Sequence, residues 1–524
     1  MIGRQWTNTY ASISRAAWLL VPVVALVVIA APTDALAQQD AIRVLEEEIN
    51  LLKETIEAQN RSLRKLRERV KILEDGGSQG DKAVADLRRR LARIDVLQTE
   101  LQALEAKLAE AVAGGATGGN KGAQVGLSVD VRIRPEWTSN RNDLDSDSKD
   151  DDAFWGHRAR FGGDVGFDSW VRARVIAQEA RKFGTTIAQG GELSLHEAWA
   201  EIEPPLIQGM RLRVGRTELS YGNERLIGRD DFSFSGRAFD GAVLRLGRMP
   251  YFDGQVFYAK VRESGDEGDK DLLGVYLKTE AVPNTTIEAY YIGLFDEFSR
   301  DVTIGDEIIS QTFKSTIHTI GARAEAVFYG FRVDAEAVVQ LGKRTDPLNA
   351  NQELDHFANA FFIELSYQAP ITLRPEIGAF FVMASGDANP QDNKSIDFQP
   401  LFPTRHGFLG SMDLFAWSNI MDVGGIVELT MPAGFGFFAA GHWFMLAQKR
   451  GKLHGLGGGV TPDGTVTVGR NVGLEVDTAL SWSPNDHLQI QGGYSIFLPS
   501  TVPEQLQLGT DAAHWVYVQG RVKY

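Results

Sequence analysis

From Leu127 to Trp137 the chain alternates without a break. Leu127, Val129, Val131, Ile133 and Trp137 fall on one parity, and Ser128, Asp130, Arg132, Arg134 and Glu136 on the other. Successive side chains of a β-strand point to opposite faces, so a strand here has one apolar face ending in Trp and one polar face carrying two arginines. A half-buried strand of a soluble sandwich alternates in the same way. Repetition separates the two cases. Val171, Ala173 and Val175 oppose Arg172, Arg174 and Gln178. Phe331, Val333, Ala335, Ala337 and Val339 oppose Arg332, Asp334, Glu336 and Gln340. Leu488, Ile490, Tyr494 and Ile496 oppose Gln489, Gln491 and Ser495. The last strand sets Val516, Val518, Val522 and Tyr524 against Tyr517, Gln519, Arg521 and Lys523. Many such strands with aromatic ends predict an all-β transmembrane antiparallel barrel, lipid outside and water inside.

Connections alternate in length. Short ones fall near 166–169, 204–209, 247–254, 282–284, 329–330, 369–370, 432–434 and 484–486. Long polar ones fall at 139–153, 179–193, 216–237, 262–270, 294–313, 342–357, 384–412, 447–468 and 498–512. Short turns on one side and long loops on the other is the outer-membrane arrangement, and the count implies about 18 strands over 125–524.

Before residue 125 the period changes. Ile42, Leu45, Ile49, Leu52, Ile56, Gln59, Leu63, Leu66, Val70 and Leu73 alternate steps of three and four. That spacing predicts an α-helical coiled coil over 38–112, broken near 75–81, placed in the periplasm and able to self-associate. A glycine-rich linker follows at 113–124. Residues 1–37 read as a signal peptide: Arg4 and Arg15, an apolar run from Ala16 to Ala31, and Ala35-Leu36-Ala37 before the expected cut.

Composition narrows the function classes. The chain has no cysteine, which excludes disulfide frameworks and thiol catalysis. Its net charge of -15 argues against a nucleic-acid partner. A mean hydropathy of -0.18 is too polar for a helical membrane protein and ordinary for a barrel.

The candidate chemistry is arginine at two-residue spacing: Arg132 and Arg134, Arg158 and Arg160, Arg172 and Arg174, Arg211 and Arg213. Each pair shares a face, and a charge facing lipid at mid-membrane costs ~2–4 kcal/mol, so the pairs belong to the lumen or its rim. Guanidiniums in a narrow lumen attract carboxylates and phosphates. The bland alternative is that lumenal acids such as Glu136, Glu325, Glu336 and Glu475 pair with them and brace the wall. The loop carrying Asp143, Asp145 and Asp147 is a weak calcium candidate, lacking the glycine and closing Glu of the helix-loop-helix site. The histidines show no ligand spacing, no catalytic arrangement is legible, and no cofactor is expected.

Four segments resemble the alginate export porin family. They are RIRPEW; LHEAWAEIE with VGRTELSYGNERLIG and SGRAFDGA; SGDANPQDNKSIDFQPLFPTRHGFLGSMDLFAWSNI; and GLEVDTALSWSP through the closing strand. The resemblance implies an eighteen-stranded outer-membrane barrel with an electropositive constriction, passing an anionic polyuronate outward. It adds Arg216 and Arg237 to the pore-lining candidates, beside Arg132, Arg134, Arg160 and Arg174. The expected surroundings are membrane lipid and lipopolysaccharide, with an anionic polysaccharide or small anions in the lumen. A phosphate-type or general uptake porin, and an outer-membrane tether for the coiled coil, remain the alternatives.

Overall fold

A computed structural model describes residues 124–524 apart from 149, 168–169, 185–192, 205–208, 249–251, 262–267, 305–306, 347–348, 390 and 457–468. The expected signal peptide, coiled coil and most of the linker lie outside the described residues.

The chain meanders through β1 (Gln124–Ser139), β2 (Asp152–Phe167), β3 (Val171–Phe183), β4 (Ser194–Ile202), β5 (Met210–Thr217) and β6 (Phe239–Arg248). It continues through β7 (Asp253–Lys260), β8 (Gly268–Thr279), β9 (Thr285–Ile304), β10 (Glu307–Phe328), β11 (Phe331–Asp346), β12 (Asn349–Gln368) and β13 (Glu376–Ala384). After the two-residue β14 (Lys394–Ser395) come β15 (Ile420–Thr430), β16 (Phe435–Leu446), β17 (Asn471–Trp482), β18 (Leu488–Pro499) and β19 (Ala513–Lys523). A one-turn helix, α1 (Thr501–Gln505), sits in the last loop. Consecutive wall strands pair, and β1 pairs antiparallel with β19 from Asp130–Lys523 to Ser139–His514. Among the described strands, only β14 stands outside the wall, running parallel to β12. The wall is therefore a closed barrel of eighteen strands, which leaves no open sheet edge to be satisfied in lipid.

Alternation sets the two faces. Val131 is 38% exposed on the outer face, whereas its neighbour Arg132 is 2% exposed inside. Aromatic residues mark both borders of the outer apolar band. Trp137, Trp155, Phe357 and Trp443 lie toward the long loops, and Trp170, Phe331, Tyr367 and Phe435 toward the short turns. Such girdles flank the hydrocarbon of an outer-membrane barrel.

Two of the expected long loops are strand instead. β9 and β10 run paired from Thr285–Ala326 up to Ile304–Glu307, and β11 and β12 pair up to Asp346 and Asn349. Polar composition had marked 294–313 and 342–357 as loops, but the ladders of both hairpins continue into them.

Candidate functional site

Two loops turn inward and meet inside the barrel. The first, 218–238, joins β5 to β6; the second, 385–419, joins β13 to β15. Gly228 N donates to Phe402 O at 2.9 Å, Phe402 N to Leu226 O at 2.8 Å, and Thr404 N to Glu224 O at 3.0 Å. Arg237, one of the expected pore residues, lies on the first loop and clips the two together. Its Nη1 donates to Phe402 O at 2.6 Å and Pro403 O at 2.8 Å. Leu226, Ile227, Phe398, Leu401, Leu414 and Trp417 form a buried apolar cluster with Phe257, Phe362, Phe380 and Phe444 of the wall. The lumen thus holds a true hydrophobic core.

Each loop is pinned to the wall. In the first, the Tyr221 ring stacks on Phe257 at 4.9 Å and Tyr276 at 4.7 Å. The Arg225 guanidinium lies 3.7 Å from the Phe362 ring centroid and 4.4 Å from that of Phe408. Burial pushes Arg225 down to about 10, opposed by Glu336 and Asp334, so the pin stays charged at neutral pH. In the second loop, Met412 N donates to Glu475 Oε1 at 2.9 Å and Ser411 N to Asp477 Oδ2 at 3.1 Å.

The first loop also delivers Asp231 and Phe232 to the arginine wall. Asp231 carboxylate oxygens lie 2.9 Å from Arg132, 2.9 Å from Arg158, 3.3 Å from Arg160 and 3.2 Å from Arg521. These four guanidiniums come from β1, β2 and β19, the strands where the barrel closes. Arg132 and Arg158 also donate to Asp231 O at 2.5 and 3.0 Å, and Arg134 to Phe232 O at 2.8 Å. Burial alone would raise the Asp231 carboxyl. Arg158, Arg132, Arg521 and Arg160 together hold it well below the usual carboxylate range. Asp130 takes a further bond from Arg158 at 2.9 Å and Arg521 at 2.5 Å, and Glu136 one from Arg134 at 2.7 Å.

The remaining arginines lie elsewhere. Arg174 pairs with Glu197 at 2.6 Å, Arg211 with Glu203 at 2.8 Å and Arg213 with Glu201 at 2.8 Å. Arg172 is exposed opposite Glu201 in the β3–β4 register, so it shares the inward face. These four sit toward the short-turn end of β3 and β5, away from the Asp231 cluster. Arg216 stands on the other face. It shares parity with the outward-facing Leu212 and Val214, and its Nη1 donates to Asp240 at 2.7 Å. The reason is the spacing: Arg216 is an odd number of residues from Arg213. Asp143 and Asp145 accept the backbone amides of Asp145 and Asp147 at 3.2 and 2.9 Å, an ordinary turn pattern on an exposed loop.

Periodicity missed the partners. Arg521 stood alone in the closing strand, outside the paired pattern. Asp231 and Phe232 lie in a loop, where no period exists. The family segments quoted above flank this loop position, at 214–228 and 235–242, without covering it.

A family model described as alginate export matches residues 123–502. Solved structures with a similar fold include three from Pseudomonas aeruginosa. OccK9 (OpdG) is 12% identical, with a TM-score of 0.51, covering 76% of this chain and 99% of that one. OpdL is 13% identical and OccK8 (OprE) 12%, each with a TM-score of 0.50 and covering 76% of this chain and 98% of its own. These likenesses concern the fold alone. No curated protein matches the chain.

Proposed function

The chain belongs to the alginate export family, and from that premise we propose that this outer-membrane channel passes anionic substrates along its inward arginines, the class being an acidic polysaccharide moved outward. One observation carries the reading. Four guanidiniums from three wall strands converge on a single carboxylate, and that carboxylate belongs to a loop rather than to the wall. Guanidinium–carboxylate bonds are among the strongest polar contacts, and the burial of Arg132 and Arg158 strengthens them further. A wall built to hold Asp231 has the chemistry to hold a substrate carboxylate. The arginines nearer the short turns, Arg172, Arg174, Arg211 and Arg213, extend the same chemistry toward the periplasmic end.

A second reading has its own support. Apart from Arg172, the inward arginines of the wall strands named above each have a carboxylate partner, which favours a braced barrel that conducts little and anchors the expected coiled coil. A salt-gradient recording in a planar bilayer separates the two. The channel reading expects a reversal potential favouring anions and a concentration-dependent block by polyuronate. Both weaken when Arg132 and Arg134 are replaced by Gln. Anion preference without polyuronate block would mark a small-anion porin. A well-folded barrel without conductance would leave the tether.

A further inference from the structure

We propose that the Asp231–Phe232 dipeptide fills a subsite for a six-membered ring bearing a carboxylate, and that such a ligand replaces it when the loop withdraws. This rests on the anion-channel reading above.

The argument starts from Arg132, which is 2% exposed. Among the described residues, its hydrogen bonds go to Asp231 O, Asp231 Oδ2 and Phe232 O. Its one ion pair is with Asp231. Arg158 and Arg521 keep their hydrogen bonds to Asp130 when the loop leaves, whereas Arg132 loses all the hydrogen bonds named for it and keeps only the nearby charge of Asp130. A buried guanidinium without a partner is costly. Loop withdrawal is therefore coupled to the arrival of another anion, which a merely steric plug would not require.

The second half of the subsite is shaped for a ring. The Phe232 ring lies between the Arg134 guanidinium, 3.9 Å from its centroid, and the His406 imidazole, 3.4 Å away and nearly parallel at 8°. Its edges meet Trp515 at 6.0 Å and 78° and Tyr517 at 5.8 Å and 83°. Trp515 and Tyr517 stack on each other at 4.5 Å and are both buried. The negative faces of such rings attract C–H edges, whether of an aromatic ring or of a sugar. Trp515 is fixed by its Nε1 donating to Glu136 Oε2 at 2.9 Å. The wall alone therefore retains four guanidiniums, set for a carboxylate, beside a rigid aromatic pair set for a ring. The Asp231 and Phe232 carbonyls meanwhile receive the bonds that ring oxygens and hydroxyls of a uronate would take. Uronates and aromatic acids share this chemistry.

The test uses the full chain in planar bilayers, comparing wild type with the D231N/F232A double variant. Three blockers are added: an oligogalacturonate, benzoate and an oligoglutamate that has no ring. The heat-dependent gel mobility of the barrel checks folding, and Phe232→Leu serves if the double variant fails to fold. Removing an internal competitor should tighten oligogalacturonate block by about tenfold, and tighten oligoglutamate block, which can use the guanidiniums alone, clearly less. Adding Tyr517→Leu to the double variant should reverse that gain. Tightening for benzoate alone would support the subsite with an aromatic acid as its ligand. Equal tightening for oligoglutamate overturns the ring half. Higher conductance with no change in any block overturns the proposal outright and leaves the dipeptide a plug. The reversal potential reads the channel itself. If it shows no anion preference, the underlying reading fails, whereas failure of the subsite leaves that preference intact.

Discussion

Arg323 and Asp231 show how one kind of contact serves two ends. Arg323 is buried in β10 and donates to Glu288 at 2.8 Å, Glu325 at 2.7 Å and Asp334 at 2.9 Å, all on wall strands. Nothing in that set moves without the barrel, so it braces. Replacing Arg323 by Leu leaves three carboxylates facing one another and should cost about 3 kcal/mol, read as a lower urea midpoint for barrel unfolding. Asp231 is joined just as tightly, but it sits on a loop rather than on a wall strand. Because its folded pKa is depressed from the ordinary 3.8, its contribution is fully present above that value. It is lost only as pH falls through the depressed value. Lowering the pH from about 7 to about 4 should therefore not undock this loop, whereas Asp231→Asn should undock it at both. Single-channel conductance of the two proteins at the two pH values reads the difference. A wild-type channel that opens at about pH 4 with unchanged wall stability would contradict it.

At the scale of elements, the wall was legible in the sequence and the filling was not. β1, β11 and β19 alternate because one face meets lipid and the other meets charge. That pattern fails where the inner face is also apolar. Phe257, Phe362, Phe444 and Phe497 point inward, since they meet the loop residues Leu226, Phe398 and Phe415 rather than water. The arginine pairs were visible as spacings, but their meeting point depends on β19 closing against β1, which joins residues 391 positions apart, as in the Arg521–Asp130 pair. Loop docking has no period at all, yet it leaves backbone signs. Gly410 has φ +78°, and a Cβ there would lie 2.3 Å from Glu475 Oε1. An alanine would combine left-handed strain of about 1–2 kcal/mol with a clash at the Glu475 carboxylate, which accepts the Met412 amide. Gly410→Ala should raise the open probability of the channel while barely moving the unfolding midpoint of the barrel, because the wall ladders are untouched. A drop in that midpoint as large as for Arg323→Leu would mean that the loop is part of the barrel's own stability.

For the whole molecule, the decisive physical fact is that one chain presents two solvents to neighbouring side chains. The net charge of -15 says little about either. What counts is that acids and arginines pair inside while the outer band stays apolar, a division set by residue parity alone. Adjacent strands allow a direct test. Val518 of β19 is 52% exposed on the outer face, in register with Gly492 of β18, while Gln491 pairs with Gln519 on the inner face. Val518→Lys places an ammonium in hydrocarbon and should cost ~2–4 kcal/mol in folding into bilayers. Gln491→Lys puts the same charge a few ångströms away on the inner face, beside Gln519 and Ser481, where water receives it. Its folding free energy should change little, and its reversal potential should shift toward anions. Refolding into vesicles across a urea series measures the first quantity, and a salt-gradient recording the second. Equal costs for the two lysines would mean that this part of the wall does not meet lipid, and the girdles of Trp137, Trp443, Phe331 and Phe435 would then need another explanation.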